Sequence, residues 1–344
     1  MIARAVYRNL SLYAPDKRPC AIDLSDNTNV FGVPPHAEKT FREAALSTIT
    51  RYPTLYSHNL KKALADYAGV EQQHLVTGCG SDDILDSALR AFLEGSDRIA
   101  TSRPSFAMIP IFAQMNAVEC TQVDFLEDGG LDVDGLLAGD PKLIYVCSPN
   151  NPTGLTVPRE TLKNLIERAE GLVILDEAYA EFSGEGLMSE APGYPNLLVI
   201  RTMSKAFGLA GLRVGYAVGA QPIVAEVEKS RGPFKVNSLA EATAVAALTK
   251  DLEWVKQHVA IAVQNRVRFV EMLQQNGFRS LPSSANFVLV PVPDAVQIAN
   301  AMRAKGVAVR PFRALPRIGD GLRISIGSWP MMEATFAALV ESTS

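Results

Sequence analysis

The chain has 344 residues, of which 47% are hydrophobic and 20% charged, a globular composition spread over more length than one core of about 100 to 200 residues holds, so two domains are expected. Lys plus Arg number 33 against 37 Asp plus Glu, a formal net charge of -4, which provides no basic field for nucleic acid or an anionic membrane. The uncharged run Pro104 to Val118 contains two prolines, a Gln and an Asn and is shorter than the roughly 18 apolar residues of a membrane span.

Arg4 and Arg8 interrupt the only apolar stretch at the N-terminus, so no secretory h-region forms and a cytoplasmic location is expected. The four cysteines, Cys20, Cys79, Cys120 and Cys147, lack CxxC spacing and read as reduced core thiols.

In chain order, Asn59 to Tyr67 carries Leu60, Leu64 and Tyr67 at helical spacing and is closed by Gly69. Ile84 to Phe92 repeats the pattern, with Ser81 placed to cap it. Short apolar runs at His74 to Thr77, Arg98 to Thr101, Leu143 to Cys147, Leu172 to Leu175, Leu197 to Ile200 and Val214 to Val218 read as strands buried on both faces. Strands alternating with helices predict an α/β domain with a mostly parallel sheet flanked by helices. Ser238 to Gln275 is helical in pattern throughout and predicts a connection between domains. Beyond it, strands at Ala285 to Val292, Val307 to Phe312 and Leu322 to Gly327, with helices at Ala295 to Lys305 and Met331 to Val340, predict a small α+β C-terminal domain. The expected division is an N-terminal arm over 1–35 that joins the small domain, a large domain over 36–258 and the small domain over 259–344.

Ligands of such sheets bind beyond the carboxyl ends of the strands, and the residues there are polar. Thr77-Gly-Cys-Gly-Ser-Asp-Asp83 offers a glycine turn and backbone N–H groups at a helix start, suited to a phosphate. Ser148-Pro-Asn-Asn-Pro-Thr-Gly154, Asp176-Glu-Ala-Tyr179, Arg201-Thr-Met-Ser-Lys-Ala-Phe-Gly208 and Gly211-Leu-Arg-Val-Gly215 follow other runs. Singly, the Gly78 and Asn150 turns read equally as structural turns, Asp176 as a helix cap, Lys205 as a surface lysine and Arg213 as a solvated or ion-paired side chain. Together they bring an amine, a carboxylate, a phenol, an amide, a guanidinium and an anion-binding turn to one sheet edge, the set that pyridoxal 5'-phosphate requires. Lys205 suits the aldehyde and a later proton transfer. Asp176 suits the ring nitrogen, which must stay protonated. Asn151 and Tyr179 suit the phenolate oxygen, Gly80, Ser81, Asp82, Ser204 and Arg213 suit the phosphate, and Thr202 is a further cofactor-binding candidate. Phe106 can stack on the ring and reads equally as an aromatic of the core.

These motifs, with Arg51-Tyr-Pro53 and Gly321-Leu-Arg323, extend over nearly the whole chain. The chain resembles the fold type I pyridoxal-phosphate aminotransferases, and among them is most similar to the histidinol-phosphate aminotransferases. The resemblance implies the catalytic set Lys205, Asp176 and Tyr179. It also implies a homodimer in which Tyr52 reaches the partner subunit's cofactor phosphate. It assigns Tyr13, Asn27, Arg310 and Arg323 to the substrate, with the arginines at its anionic end. The implied reaction is transamination between histidinol phosphate and 2-oxoglutarate in histidine biosynthesis. The sequence departs from the family at Thr28, where an acidic residue is frequent, and at Phe106, where tyrosine is frequent. Threonine-phosphate decarboxylation and aromatic or general amino-acid transamination therefore stay open as alternatives. His36, His58, His74 and His258 are scattered without ligand spacing, so no metal is expected.

Overall fold

The computed structural model describes every residue except Met1, Asn9, Tyr13, Pro15, Lys17 and Ser344. The apolar runs form the strands β1 (Leu75–Cys79), β2 (Arg98–Arg103), β4 (Leu143–Cys147), β5 (Leu172–Asp176), β6 (Leu197–Thr202) and β7 (Val214–Gly219), and a further strand, β3 (Glu119–Asp124), joins them. They hydrogen-bond in the order β1-β7-β6-β5-β4-β2-β3. All neighbours are parallel except the two pairs that β7 makes. Every residue of β4 and β5 is buried, as expected of strands covered on both faces. Strand β3 has no counterpart among the expected elements. It forms the sheet edge and is largely solvated, so its sequence has no apolar run to betray it.

Side chains alternate between the two faces of the sheet. Ile144, Val146, Val173, Leu175 and Val199 join one core with helices His58–Ala68, Arg159–Arg168 and Ser238–Lys250. Leu143, Tyr145, Cys147, Ile174, Leu198 and Ile200 join the other with helices Ser81–Phe92, Met108–Met115 and Gln221–Arg231. Full burial of one such aliphatic side chain stabilises by about 1.5 to 3 kcal/mol, which makes this sheet the rigid platform beneath the loops at its edge.

The long helical pattern after Ser238 is two helices, Ser238–Lys250 and Leu252–Gln275, separated at Asp251. The physical reason is a third helix. Asp251 Oδ2 accepts the Ala37 N–H at 2.9 Å and Oδ1 the His36 N–H at 3.2 Å, satisfying free donors in the first turn of Pro35–Arg42. Leu252–Gln275 then contributes Val255 and Ala262 to the large core, and Phe269 and Leu273 to a separate core at the C-terminal end.

That second core lies under β8 (Phe287–Pro291), β9 (Arg310–Leu315) and β10 (Gly319–Ser325), antiparallel in the order β9-β10-β8, with helices Ala295–Ala304 and Trp329–Thr343. The run read as one strand from Val307 to Phe312 divides at Val309. Val307–Ala308 pairs in parallel with Ile22–Asp23, while Arg310 onward pairs with β10. The chain near its start is thereby stitched to the small domain, and Leu24 enters its core. Among the described residues no helix is long and apolar enough to cross a membrane. The thiols do not all lie in the core: Cys147 is buried, but Cys79 is exposed and Cys20 and Cys120 are intermediate, because Cys79 ends β1 at the turn and Cys120 belongs to the edge strand β3.

Candidate active site

Strands β1, β4, β5 and β6 run parallel, so their carboxyl ends open on one edge of the sheet. Strand β7 runs the other way and brings its beginning, with Arg213 before it, to the same edge. Topology thus collects residues spread from position 80 to position 213 into one cleft.

At the end of β1, Gly80 has φ +84° and precedes helix Ser81–Phe92. Ser81 is the first helical residue, so Gly80 and not Ser81 occupies the cap position, and no side chain caps this end. A Cβ on Gly80 would stand within clashing distance of Arg213 Nη2, and one on Gly215 would meet the backbone of Gly80 and Ser81. The absence of side chains at both positions lets the guanidinium approach a free helix N-terminus, a geometry that favours an anion. Arg213 Nη2 lies 3.5 Å from Asp82 Oδ2. Thr202 Oγ1 and Ser204 Oγ share a 2.9 Å hydrogen bond nearby in sequence, both buried.

Asp176, the last residue of β5, is 5% exposed. Its Oδ2 accepts the Tyr145 hydroxyl at 2.6 Å, and its Oδ1 accepts the Ala178 N–H at 3.0 Å. Burial pushes its carboxyl up to about 6, while those two donors and Lys205 pull it down and Asp82 pushes it further up. Lys205 stands three residues past β6, and its Nζ donates to the Asp26 carbonyl at 3.1 Å. Burial lowers its amine to about 8. Arg323 and Arg213 act in the same direction, and Asp82 and Asp176 oppose them. The carboxylate and the amine therefore influence each other's charge inside a partly desolvated cleft.

The expected partners of a phenolate oxygen are tied into the small domain. Asn151 Oδ1 accepts from Arg323 Nη1 at 2.6 Å, and Arg323 Nη2 donates to the Ser25 carbonyl at 2.6 Å. Tyr179 is buried, packs edge-on against Phe287 at 5.1 Å, and accepts from Asn27 Nδ2 at 3.1 Å. Asn27, which adopts φ +55°, also shares hydrogen bonds with Ser325 Oγ. Its amide engages Tyr179, and its backbone carbonyl accepts from Asn286 Nδ2 at 3.1 Å. Arg310 sits directly opposite Arg323 in the register of β9 and β10.

Phe106 is half-buried and packs against the core cluster that holds Tyr145 and Cys147. Tyr52 is 84% exposed and stacks on Phe234 at 5.0 Å. Tyr13 lies outside the described residues. Tyr145 is a site residue that sequence reasoning missed. The signal was available: a tyrosine inside a strand buried on both faces must find a polar partner for its hydroxyl.

A mostly parallel sheet carrying these loops, together with a small domain that closes over them through Arg323 and Asn27, defines the architecture of an aminotransferase. The family Aminotransferase class I and II matches residues 20–339, and the chain belongs to it. The chain is 33% identical over 333 residues to the histidinol-phosphate aminotransferase of Thermoanaerobacter, covering 95% of this chain and 94% of that protein. It is 37% identical over 317 residues to histidinol-phosphate aminotransferase 2 of Archaeoglobus fulgidus, covering 91% and 90%. Among solved structures it is similar to the histidinol-phosphate aminotransferase of Sinorhizobium meliloti in complex with pyridoxal-5'-phosphate, with a TM-score of 0.89, 26% identity and coverage of 99% and 97%. The aspartate aminotransferase of Thermus thermophilus shares the fold, with a TM-score of 0.80 at 21% identity.

Proposed function

We propose that the protein uses pyridoxal 5'-phosphate to exchange the amino group of histidinol phosphate with 2-oxoglutarate, giving imidazole acetol phosphate and glutamate. The observation that carries this reading is that the Lys205 amine and the buried Asp176 carboxylate act on each other electrostatically at the sheet edge where Gly80 and Gly215 leave room for the Arg213 guanidinium at a helix start. That donor set fits the group. The cradle suits its phosphate, Asp176 its ring nitrogen, Asn151 and Tyr179 its phenolate oxygen, and Lys205 its aldehyde. When bound, pyridoxal phosphate supplies an electron sink for negative charge at the substrate's reacting carbon.

The chain's own residues supply the rest. Asp176, fixed by two donors, would hold a proton at the ring nitrogen through a charge-assisted hydrogen bond. Lys205, with its amine lowered to about 8, is neutral often enough near neutral pH to accept a proton at Nζ from the reacting carbon and to return it elsewhere. Arg323 presents a guanidinium to the anionic end of each substrate, and Asn27 steadies Tyr179. Closure of the small domain removes water from these charges.

A homodimer accords with the exposed apolar segment that includes Leu46 at 81%, Ile49 at 67% and Tyr52 at 84%. A partner subunit would cover it and receive Tyr52 at its cofactor phosphate. A cytoplasmic setting goes with amino-acid biosynthesis. The test is a panel of donors with 2-oxoglutarate: histidinol phosphate, unphosphorylated histidinol, threonine phosphate and phenylalanine, with carbon dioxide release followed in parallel. Histidinol phosphate should be preferred by a wide margin. Equal use of histidinol would remove the phosphate reading, and carbon dioxide from threonine phosphate would replace transamination by decarboxylation.

A further inference from the structure

We propose that Tyr145 is a positioning residue for Asp176: donated from the neighbouring strand, its hydroxyl keeps the carboxylate anionic and in one orientation. The inference rests on the reading of Asp176 as the partner of the cofactor's ring nitrogen. Strands β4 and β5 are parallel neighbours with Tyr145 opposite Ile174 and Cys147 opposite Asp176. Tyr145, Cys147 and Ile174 face the same core, and Asp176, two residues beyond Ile174, shares that face. The phenol is fully buried and reaches two register positions along, to the next residue on the same face, Asp176, whose Oδ2 accepts at 2.6 Å. That separation is typical of a hydroxyl donating to a charged carboxylate.

The Ala178 N–H holds Oδ1 from the chain's own turn, so the carboxylate cannot rotate without breaking bonds on both oxygens. The titratable groups that face it are Tyr145 and Cys147 from β4, Asp82 from the helix after β1, Lys205 from the loop after β6 and Tyr179 from its own loop. Burial and Asp82 favour the neutral acid. The Tyr145 hydrogen bond is foremost among the influences that oppose them. Burial pushes the phenol's own ionisation well up, so it remains a donor at every working pH. A carboxylate that took up a proton would lose its hold on a cationic partner, and Tyr145 guards against that.

The experiment uses Tyr145→Phe in the full chain, which deletes the hydroxyl and keeps the ring. Carboxyl NMR of the apoprotein labelled with 13C-aspartate, with the signal assigned by Asp176→Asn, should show the Asp176 midpoint rising by about one pH unit, a tenfold gain in proton affinity. The affinity for pyridoxal phosphate at pH 6 should fall severalfold in the wild-type background. It should fall far less when Asp176 is already Asn, because the two residues act as one unit. A midpoint shift below about 0.2 units, or an equal affinity loss in both backgrounds, would make Tyr145 a packing residue only. Replacement of Tyr145 by a fluorinated tyrosine, a stronger donor of the same shape, should move the midpoint down, which keeps the test alive if the phenylalanine variant folds poorly. Failure of the wild type to bind pyridoxal phosphate would overturn the functional reading, while the NMR titration would still decide the coupling.

Discussion

Replacing Arg323 by lysine keeps the positive charge but removes the fork. In the structure the two terminal nitrogens serve different parts of the molecule, Nη1 holding Asn151 of the large domain and Nη2 the Ser25 carbonyl, each at 2.6 Å. The side chain is 7% exposed, so water does not readily replace either bond. A lysine Nζ, a point donor on a flexible stem, reaches one of these acceptors and not both with the same geometry. A hydrogen bond involving a charged group is worth about 1.5 to 3 kcal/mol, and the loss of one, at roughly 2 kcal/mol, corresponds to about a 30-fold change in an equilibrium constant. Because the same guanidinium is assigned to the anionic end of both substrates, the KM for histidinol phosphate and for 2-oxoglutarate should each rise by about 10- to 100-fold. Cofactor affinity should weaken less, through the loosened Asn151. Steady-state kinetics with each substrate varied in turn, alongside titration of the apoprotein with pyridoxal phosphate, measures all three. If both KM values stay within about twofold of the wild type, a difference of only roughly 0.4 kcal/mol, the forked contact is not what binds the anions and the reasoning fails.

Other predictions address the cofactor and the fold. Borohydride reduction of the yellow holoprotein should attach the label to Lys205, as read by peptide mapping, and Lys205→Ala should lose turnover; a label on another lysine would refute the assignment. The Lys205 amine is lowered from 10.5 to about 8, so the folded apoprotein binds fewer protons than the unfolded chain between those values. Its stability should rise relative to Lys205→Met as the pH climbs through that window, and a thermal-melt difference independent of pH from 7 to 11 would contradict this. Asp176→Asn should retain some cofactor, seen by absorbance, yet lose most transamination, and an active Asn variant would remove the electron-sink argument. Asp251→Ala should lower unfolding free energy by about 1 to 2 kcal/mol in denaturant titrations, since it strips two donors of helix Pro35–Arg42 of their acceptor; an unchanged midpoint would show that the cap contributes nothing.

The sequence by itself determined the strands that lie in the middle of the sheet and the motifs that follow them. Burial on both faces demands continuous apolar runs, and the polar residues at the end of each run are local neighbours of it in the chain. Lys205 after β6, Asp176 at the end of β5 and the glycine turn after β1 are legible for that reason. The tertiary structure alone decided which of these face one another and what holds them. The solvated edge strand β3 carries no apolar signal. The long helix is broken at Asp251 by a helix some 215 residues away in sequence, and a periodic pattern cannot record such a partner. The segment from Ser25 to Asn27 reaches Lys205, Tyr179 and Arg323 only because Ile22–Asp23 pairs with Val307–Ala308. Tyr145 meets Asp176 through the register of two strands separated by a complete helical crossover. A hydrogen bond across such distances depends on the relative placement of whole elements, and that placement is set by the packing of the cores beneath them, not by the residues that make the bond.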